Sequence, residues 1–571
     1  MKIKLGKIKV TVKKFTVYIM LLQGIIQAVI FLRKNKKSIE KNRYNFAVRS
    51  AVCYFLVILL LLSCILRVAV INTKGYDRVC AEQSEYKIKV SRIRGTIYDS
   101  NMLPLTNNKC SIMALVAPTP RAVTAISAEL DGAQKESTLS RLRQNKPAVV
   151  EVSREIECEG IATAYTYKTV GSADACHVIG YLDSAGHGAS GLEAAYDSLL
   201  YSEEYLCAIY ETDGKGNMIA GGSPRFEGGS SALSNGVVST IDINMQNAVC
   251  GAASGYIKKG AVVVAEVKNG EIKVLLSLPQ FDTSDISRYL EDEDSPFINR
   301  ALSAYSVGSV FKTCVAAAGL EAGEGDFRYN CKGRDFIVDR FFACHKYEGH
   351  GTVDLRQALA FSCNCFFYNY AQLLGGEAIY KTARLFGFGS SIKIADNVKT
   401  SAGSLPGITS LSNPARLANF SIGQGELTAS PVGMLPLYMA IANGGRYYLP
   451  SLVKKTLKDG KVTDYNKGYE TVAIDKETAD TIKSYLAAVI TEGTAASAAP
   501  KTVTAAGKTA TAQTGKTDEN GEKINNSWFC GFFPAEEPEY VVIVLSEGGS
   551  TADTTSAFAL IADKIIEISK K

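Results

Sequence analysis

The chain is poor in the motifs that hold metal ions or nucleotides. Only four histidines occur in 571 residues, and neither an HExxH motif nor a paired CxxC motif is present. Structural zinc sites are usually built from such sets, so the sequence predicts no metal site and no cofactor. Two Gly-Lys-Thr triplets, at 507–509 and 515–517, lack the glycine five residues earlier that a phosphate-binding loop requires. Nucleotide binding is therefore disfavoured as well.

A disulfide framework is also missing, although the chain has 14 cysteines. Their spacing does not resemble that of small secreted disulfide-rich domains, so most are expected to fill apolar interior space. Four of them lie around a Ser-Cys-Asn segment in the sequence: Cys331, Cys344, Cys363 and Cys365. Packing thiols are the main interpretation, and a reversible disulfide that joins Cys344 to Cys331 or to Cys363 is the alternative.

Positive charge is concentrated at the start of the chain. Residues 1–49 hold 13 lysines and arginines and a single acid, Glu40, so the rest of the chain is net negative. A nucleic-acid-binding protein would carry basic residues over a folded surface, and this class is disfavoured. Residues 50–71 are apolar except for Arg67, and they are long enough to cross a bilayer. The basic flank predicts a single membrane span with the N-terminus inside and everything after residue 72 outside.

A second apolar stretch, residues 15–32, leaves three alternatives open. It forms an additional hydrophobic helix across the membrane, or it lies in the inner membrane interface, or translation starts downstream at Met20. A cleaved signal peptide is disfavoured for residues 50–71, because no small-residue cleavage site follows that run.

The pattern of strands and helices indicates an α+β fold for the second half of the chain. Two β-rich runs, 261–267 and 272–278, flank an Asn-Gly turn and predict a hairpin. Further strands are predicted at 509–513, 527–533 and 540–546, before a helix at 557–570, and the intervening segment is mostly helical. The predicted sheet thus takes strands from both ends of the domain and helices from its middle.

Three short motifs carry residues that could perform chemistry: Ser309-Val-Phe-Lys312, Ser362-Cys-Asn364 and Lys508-Thr-Ala510. Ser-x-x-Lys alone is weak, since it also occurs at 84–87 and 451–454. Ser309 differs because it begins a helical run, where positions i and i+3 share a face. A buried lysine with a lowered pKa can then act as the base that a serine nucleophile needs. The alternative is that Ser309 is only a helix N-cap.

The surroundings of these motifs resemble those of class B penicillin-binding proteins. The segment Tyr305-Ser-Val-Gly-Ser-Val-Phe-Lys312 is similar to the active-serine segment of the family, with Val307 in place of the usual proline. Other similar segments follow in the family's order, at 358–367, 421–431, 507–513 and 528–534, and the resemblance reaches upstream to 92–99, 177–181 and 191–197. The resemblance covers roughly residues 90–570.

The resemblance implies a multidomain α+β fold. After the single membrane anchor, it implies an elongated non-catalytic pedestal and then a penicillin-binding serine transpeptidase domain, in which helices flank an antiparallel sheet as in β-lactamases. The expected domains are a basic cytoplasmic segment (1–49), the anchor (50–71), the pedestal or dimerisation domain (72–235) and the transpeptidase domain (236–571).

The resemblance also assigns roles to the motif residues. Ser309 is the expected nucleophile and Lys312 its base, while Ser362 and Asn364 link the lysine to the substrate and Lys508 supports this network electrostatically. Thr509 is expected to bind the terminal carboxylate of the substrate, and the backbone N–H groups of Ser309 and Thr511 to form the oxyanion hole. Ala510 replaces the usual glycine, and its methyl group is expected to crowd the substrate and modestly change its fit.

The implied activity is cross-linking of peptidoglycan stem peptides that end in D-Ala-D-Ala, with β-lactams as inhibitors. No glycosyltransferase domain fits between the membrane span and residue 90, so a polytopic membrane glycan polymerase is the expected partner. Two alternatives stay open: a catalytically weak or silent scaffold, and a β-lactamase or β-lactam sensor, which would not need the pedestal. A role in division, elongation or sporulation is not distinguished.

Overall fold

The computed structural model describes residues 23–30, 33, 41–73, 85–169, 173–213, 217–219, 224–228, 234–465, 469–517, 521 and 523–570. The chain divides into two compact units. One contains Met1–Tyr86 with Thr212–Lys215, and the other contains Lys87–Glu211 with Gly216–Lys571.

A long apolar helix, α1 (Lys41–Thr73), is the main element of the first unit. Its segment Phe46–Ile71 has a mean hydropathy of 2.7 and buries none of its residues within the protein, which is the pattern of a membrane span. In the part of the chain that the structure describes, it is the one helix that passes this test. It contains the predicted span 50–71. Of the earlier apolar stretch, residues 15–22, 31 and 32 lie outside the described residues.

Strands and short helices alternate along the chain from residue 85 onward. The strands are β1 (Glu85–Arg92), β2 (Thr96–Tyr98), β3 (Lys109–Val116), β4 (Ala148–Val152), β5 (Ile161–Lys168), β6 (Tyr205–Glu211), β7 (Arg225–Glu227), β8 (Gly236–Ser239), β9 (Gly260–Glu266), β10 (Ile272–Leu278), β11 (Tyr305–Ser306), β12 (Arg328–Cys331), β13 (Arg334–Ile337), β14 (Arg340–Ala343), β15 (Gly351–Asp354), β16 (Lys393–Ala395), β17 (Val398–Lys399), β18 (Thr428–Ala429), β19 (Arg446–Tyr448), β20 (Val453–Lys458), β21 (Lys461–Asp464), β22 (Glu470–Val472), β23 (Ala506–Thr517), β24 (Lys523–Phe533) and β25 (Tyr540–Glu547). The helices are α2 (Pro120–Glu129), α3 (Gly132–Arg143), α4 (Cys176–Ile179), α5 (Gly191–Ala195), α6 (Asp197–Leu200), α7 (Ile243–Ala253), α8 (Lys312–Glu321), α9 (Leu355–Ala360), α10 (Asn364–Leu374), α11 (Gly376–Leu385), α12 (Pro414–Ser421), α13 (Pro431–Ala442), α14 (Lys476–Thr491) and α15 (Thr551–Ser569).

The region before residue 236 is built from small sheets. Strands β4, β3 and β5 form an antiparallel sheet that shares a small apolar core with α2 and α3, separate from the main core. The segment 86–98, whose pattern resembles one edge strand, is divided into β1 and β2 by Gly95. A Cβ atom at Gly95 would lie 2.8 Å from the carbonyl oxygen of Asn235, so this approach requires glycine. The close approach of Gly95 to Asn235 lets β2 pair in parallel with β8, and β8 also pairs with β20.

A five-stranded antiparallel sheet, in the order β10-β9-β25-β24-β23, forms the centre of the second unit. The predicted hairpin is confirmed as β9 and β10, whose turn is closed by the Asn269 side chain accepting from the Glu271 N–H at 2.9 Å. Strand β25 contacts both α13 and α15, and residues 541–546 are all buried. Helices thus cover the middle of the sheet on both faces. Strand β23 lies at an edge of the sheet and carries the third motif.

The last helix starts earlier than its apolar pattern indicates. The prediction placed it at 557–570, whereas α15 begins at Thr551. Ser550 and Asp553 form a capping box, in which each side chain accepts a hydrogen bond from the backbone N–H of the other residue. The cap stabilises a polar first turn that hydrophobic periodicity does not reveal.

Candidate active site

Ser309 lies in a short 3₁₀ turn, Gly308–Phe311, directly before α8. The prediction that it begins a helical run is therefore confirmed. The Gly308 N–H donates to the carbonyl oxygen of Gly423 at 2.8 Å, which ties the turn to a second loop. Val310 and Phe311 are wholly buried, whereas Ser309 is partly exposed. The turn therefore holds the serine at the surface of a rigid core.

The serine turn packs directly on strand β23. Gly308 has a φ of 65°, and a Cβ atom there would lie 3.1 Å from the Ala512 Cβ, 3.2 Å from the Ala510 Cβ and 3.3 Å from the Thr511 carbonyl oxygen. Only glycine combines this left-handed conformation with so close an approach. The tertiary structure in this way places Ser309 beside the third motif, some 200 residues further along the chain.

Lys312 is fully buried and connects the first motif to the second. Its Nζ donates to the Asn364 Oδ1 at 2.6 Å, to the Ser362 carbonyl oxygen at 2.8 Å and to the Ser362 Oγ at 3.2 Å. Burial lowers the pKa of Lys312 from 10.5 to about 8, because desolvation disfavours the charged ammonium. A lysine in this state can exchange a proton near neutral pH.

The second motif forms a strained turn between α9 and α10. Ser362 has a φ of 54°, a left-handed value that costs a non-glycine residue about 1–3 kcal/mol. Cys363 then caps α10, since the Phe366 N–H donates to its Sγ at 3.5 Å. This geometry directs the Ser362 oxygens and the Asn364 amide oxygen to the same ammonium group.

Lys508, from the third motif, is also fully buried. Burial and the positive charge of Lys312 hold the pKa of Lys508 well below its ordinary value of 10.5. Its Nζ donates to the Thr509 carbonyl oxygen at 3.2 Å. The positive charge of Lys312 thus affects Lys508 in the protein interior. The expected support of the catalytic network by Lys508 stays a prediction.

The residues that follow Lys508 on β23 differ in exposure: Thr509 and Ala510 are buried, and Thr511 is exposed. The Thr509 hydroxyl lies 3.2 Å from the Thr494 Oγ1, and the exposed Thr511 has its hydroxyl 2.9 Å from the Thr551 Oγ1. Ala510 is only 3% exposed, and its methyl group faces Gly308. The methyl group thus fills space under the serine turn, and its predicted effect on substrate fit would act through that turn.

A polar cavity beside the serine turn contains the expected Thr511 together with groups to which the sequence assigned no role. Tyr305, Ser306, Thr511 and Glu547 are among its lining residues. The Tyr305 hydroxyl donates to the Glu547 Oε1 at 2.5 Å, and Arg300 donates to the same oxygen at 3.0 Å. The Trp528 indole N–H holds the Ser306 carbonyl oxygen at 2.9 Å. Glu547 lies at the end of β25, so no local sequence pattern could have connected it to Tyr305.

Comparison with known proteins defines the class of this chain. Residues 260–567, more than half of the chain, match the family described as penicillin binding protein transpeptidase domain. The chain belongs to this family, and the class B resemblance is confirmed. It is similar to stage V sporulation protein D of Bacillus subtilis, with 28% identity over 79% of this chain and 73% of that protein. It is also similar to the peptidoglycan D,D-transpeptidase MrdA of Acinetobacter baumannii, with 25% identity over 92% of this chain and 87% of that protein.

Solved structures confirm the predicted α+β multidomain fold. The D,D-transpeptidase domain of a peptidoglycan glycosyltransferase from Eggerthella lenta superposes with a TM-score of 0.61 at 24% identity, covering 84% of this chain and 99% of that one. Penicillin-Binding Protein (PBP2) from Helicobacter pylori gives a TM-score of 0.63 at 20% identity, covering 85% and 100%.

Proposed function

We propose that the chain is a peptidoglycan D,D-transpeptidase that works through an acyl-enzyme on Ser309. The observation that carries this proposal is the environment of Lys312. Lys312 lies three residues after Ser309, and its ammonium is fully buried with a pKa of about 8. Ser362 and Asn364 accept hydrogen bonds from this ammonium. Desolvation of this kind is a condition under which a lysine becomes a base near neutral pH.

The reaction has two steps. The Ser309 Oγ forms an ester with the carbonyl carbon of the penultimate D-alanine, while Lys312 accepts the hydroxyl proton. The amide bond to the terminal D-alanine breaks, and the leaving amine receives a proton through the Lys312–Ser362 pair. An amine from a second stem peptide then attacks the ester, forms the cross-link and returns the proton to Ser309. The substrate carboxylate binds at Thr509, and the oxyanion is stabilised by the backbone N–H groups of Ser309 and Thr511.

The placement of the enzyme follows from α1 and its charged flank. The basic residues before the span keep the N-terminus inside, so the catalytic domain lies on the outer side of the cell membrane. Residues 72–235 serve as the pedestal and 236–571 as the transpeptidase domain. Glycan polymerisation comes from a polytopic membrane partner.

Covalent labelling of the full chain in detergent with a fluorescent penicillin tests the mechanism. Wild type is expected to form a long-lived adduct, and Ser309→Ala none. Ser451→Ala is the matched control, because it removes the serine of a second Ser-x-x-Lys sequence, and it should label like wild type. Absence of labelling in wild type would support the silent scaffold, and rapid loss of the adduct would support a β-lactamase. Release of D-alanine from a stem-peptide donor, dependent on an amine acceptor, confirms the transpeptidase.

A further inference from the structure

The loop that leads from α14 to β23 brings one hydroxyl group to the third motif. Thr494 lies in this loop, three residues after the end of α14, and it is exposed. Its Oγ1 lies 3.2 Å from the Oγ1 of Thr509, a residue that is only 6% exposed. Thr494 belongs to none of the three motifs, so its position beside Thr509 is a result of the fold.

The main chain of Thr494 is bound to the helix that leads into the second motif. The Thr494 N–H donates to the carbonyl oxygen of Ala360, the last residue of α9, at 3.1 Å. A Cβ atom at Gly493 would lie 2.2 Å from the same carbonyl oxygen, so the loop comes this close only with glycine at that position. Ser362 follows Ala360 by two residues. Thr494 therefore connects the second motif, through its main chain, to the third motif, through its hydroxyl.

Two further contacts hold this loop on either side of Thr494. Before it, Arg356 of α9 donates to both carboxylate oxygens of Glu492, at 2.5 and 2.9 Å. After it, the Ser497 hydroxyl lies 2.8 Å from the Thr555 hydroxyl in α15. A bidentate arginine–carboxylate pair fixes an orientation as well as a distance. The Thr494 hydroxyl is thus presented from a loop that is anchored at both ends.

The direction of the hydrogen bond between the two hydroxyls decides what Thr509 can bind. A hydroxyl has one proton to donate and two lone pairs that accept, whereas a carboxylate only accepts. Thr509 can therefore donate to the terminal carboxylate of a substrate only if the proton in the shared bond comes from Thr494. A hydroxyl that accepts one hydrogen bond is also polarised and becomes a better donor to the next group.

We propose that Thr494 is a positioning residue that orients the Thr509 hydroxyl toward the terminal carboxylate of the stem peptide. This inference rests on the proposed function, in which Thr509 binds that carboxylate. Thr494 donates to Thr509, Thr509 donates to the carboxylate, and Thr494 acts only through its neighbour. The arrangement favours a donor peptide with a free carboxylate over one with a neutral end, because a hydrogen bond to a charged acceptor is the stronger one.

Changing the protein and the substrate together tests this role. The donor is a short peptide that ends in D-Ala-D-Ala, with either a free carboxylate or a methyl ester at its C-terminus. The full chain in detergent is given each donor with an amine acceptor, and release of the terminal D-alanine or its ester is measured. Thr494→Val removes the proton donor and nearly keeps the shape of the side chain. It should reduce the preference in kcat/KM for the free acid about tenfold, mainly through KM.

Two variants serve as controls. Thr494→Ser keeps the hydroxyl and should restore most of the preference for the free acid. Thr491→Val is the matched control, because Thr491 is an exposed threonine at the end of α14 whose hydroxyl donates to the Ala487 carbonyl oxygen at 3.3 Å, and it should leave the preference unchanged. An equal loss for acid and ester in Thr494→Val would show that the residue only anchors the loop, and would overturn the proposal. An unchanged preference would overturn it as well.

Binding without catalysis separates this inference from the proposed function. In Ser309→Ala protein, adding Thr494→Val is expected to weaken binding of the free-acid donor about tenfold and to leave binding of the ester nearly unchanged, as measured by calorimetry. Equal effects on the two donors would overturn the role of Thr494. The expected difference, found together with a wild type that forms no acyl-enzyme, would contradict the proposed function and leave the role of Thr494 standing.

Discussion

The pH dependence of Ser309 acylation is the most direct consequence of the structure. If Lys312 is the base, only its neutral form can accept the serine proton. With the pKa lowered to about 8, the neutral fraction is about 9% at pH 7, against about 0.03% for an unshifted lysine. Burial thus increases the fraction of Lys312 that is neutral, and able to accept the serine proton, about 300-fold at this pH.

The expected profile has a defined shape. The acylation rate should rise about ninefold from pH 6 to 7, about fivefold from pH 7 to 8 and less than twofold from pH 8 to 9. The measurement is the rate of fluorescent-penicillin labelling of the full chain in detergent, corrected for alkaline hydrolysis of the reagent. A rate that is flat from pH 6 to 9 would refute Lys312 as the base, and so would one that still rises tenfold per unit above pH 9.

Lys312→Arg separates the charge of this residue from its chemistry. Arginine keeps a positive charge but stays protonated at every pH in the assay, so the rate should fall by about 10²–10⁴-fold. Retention of near wild-type acylation in this variant would contradict the reasoning.

Three further predictions concern the serine turn and the remainder of the second unit. Gly308→Ala places a methyl group against β23 at a φ of 65°, and should slow acylation at least tenfold at a cost of about 1–3 kcal/mol; labelling rate and thermal unfolding check this. Burial lowers the pKa of His177 to about 4, so the folded state keeps it neutral. The neutral His177 therefore contributes fully to the free energy of unfolding above pH 6.5. As the pH falls from 6.5 to 4, the free energy of unfolding should decrease by about 3 kcal/mol, which is measured from unfolding curves at a series of pH values. Arg94→Met leaves the buried Glu193 without its 2.6 Å partner and should destabilise the fold by about 3–5 kcal/mol, measured by chemical unfolding.

Each of these predictions has its own control. Gly251→Ala is the partner of the Gly308 variant, since a Cβ at this site in α7 meets nothing within 4 Å, and it should leave labelling unchanged. For His177, the His177→Gln variant should lose stability less steeply than wild type between pH 6.5 and 4, and parallel curves would contradict the assignment. An Arg94→Met protein as stable as wild type would show that the buried pair contributes nothing.

The sequence predicted the parts of the site that depend on local spacing. Ser309 and Lys312 lie one helical turn apart, so their proximity follows from helix geometry alone. The Asn-Gly hairpin and the strands of the central sheet were also predicted, because β-rich runs of this kind have few other ways to bury their surface. The elements whose boundaries were wrong, such as the break at Gly95 and the start of α15, depend on contacts that periodicity does not encode.

The apolar run of α1, the order of the three motifs and the chemistry of their side chains were determined by the sequence itself. Only the tertiary structure decided that Lys312 is fully buried between the first two motifs and that Gly308 seats the serine turn on β23. The physical reason is that a pKa and a close backbone approach both depend on distances between segments far apart in the chain. Burial and sheet pairing set those distances, and no local pattern records them.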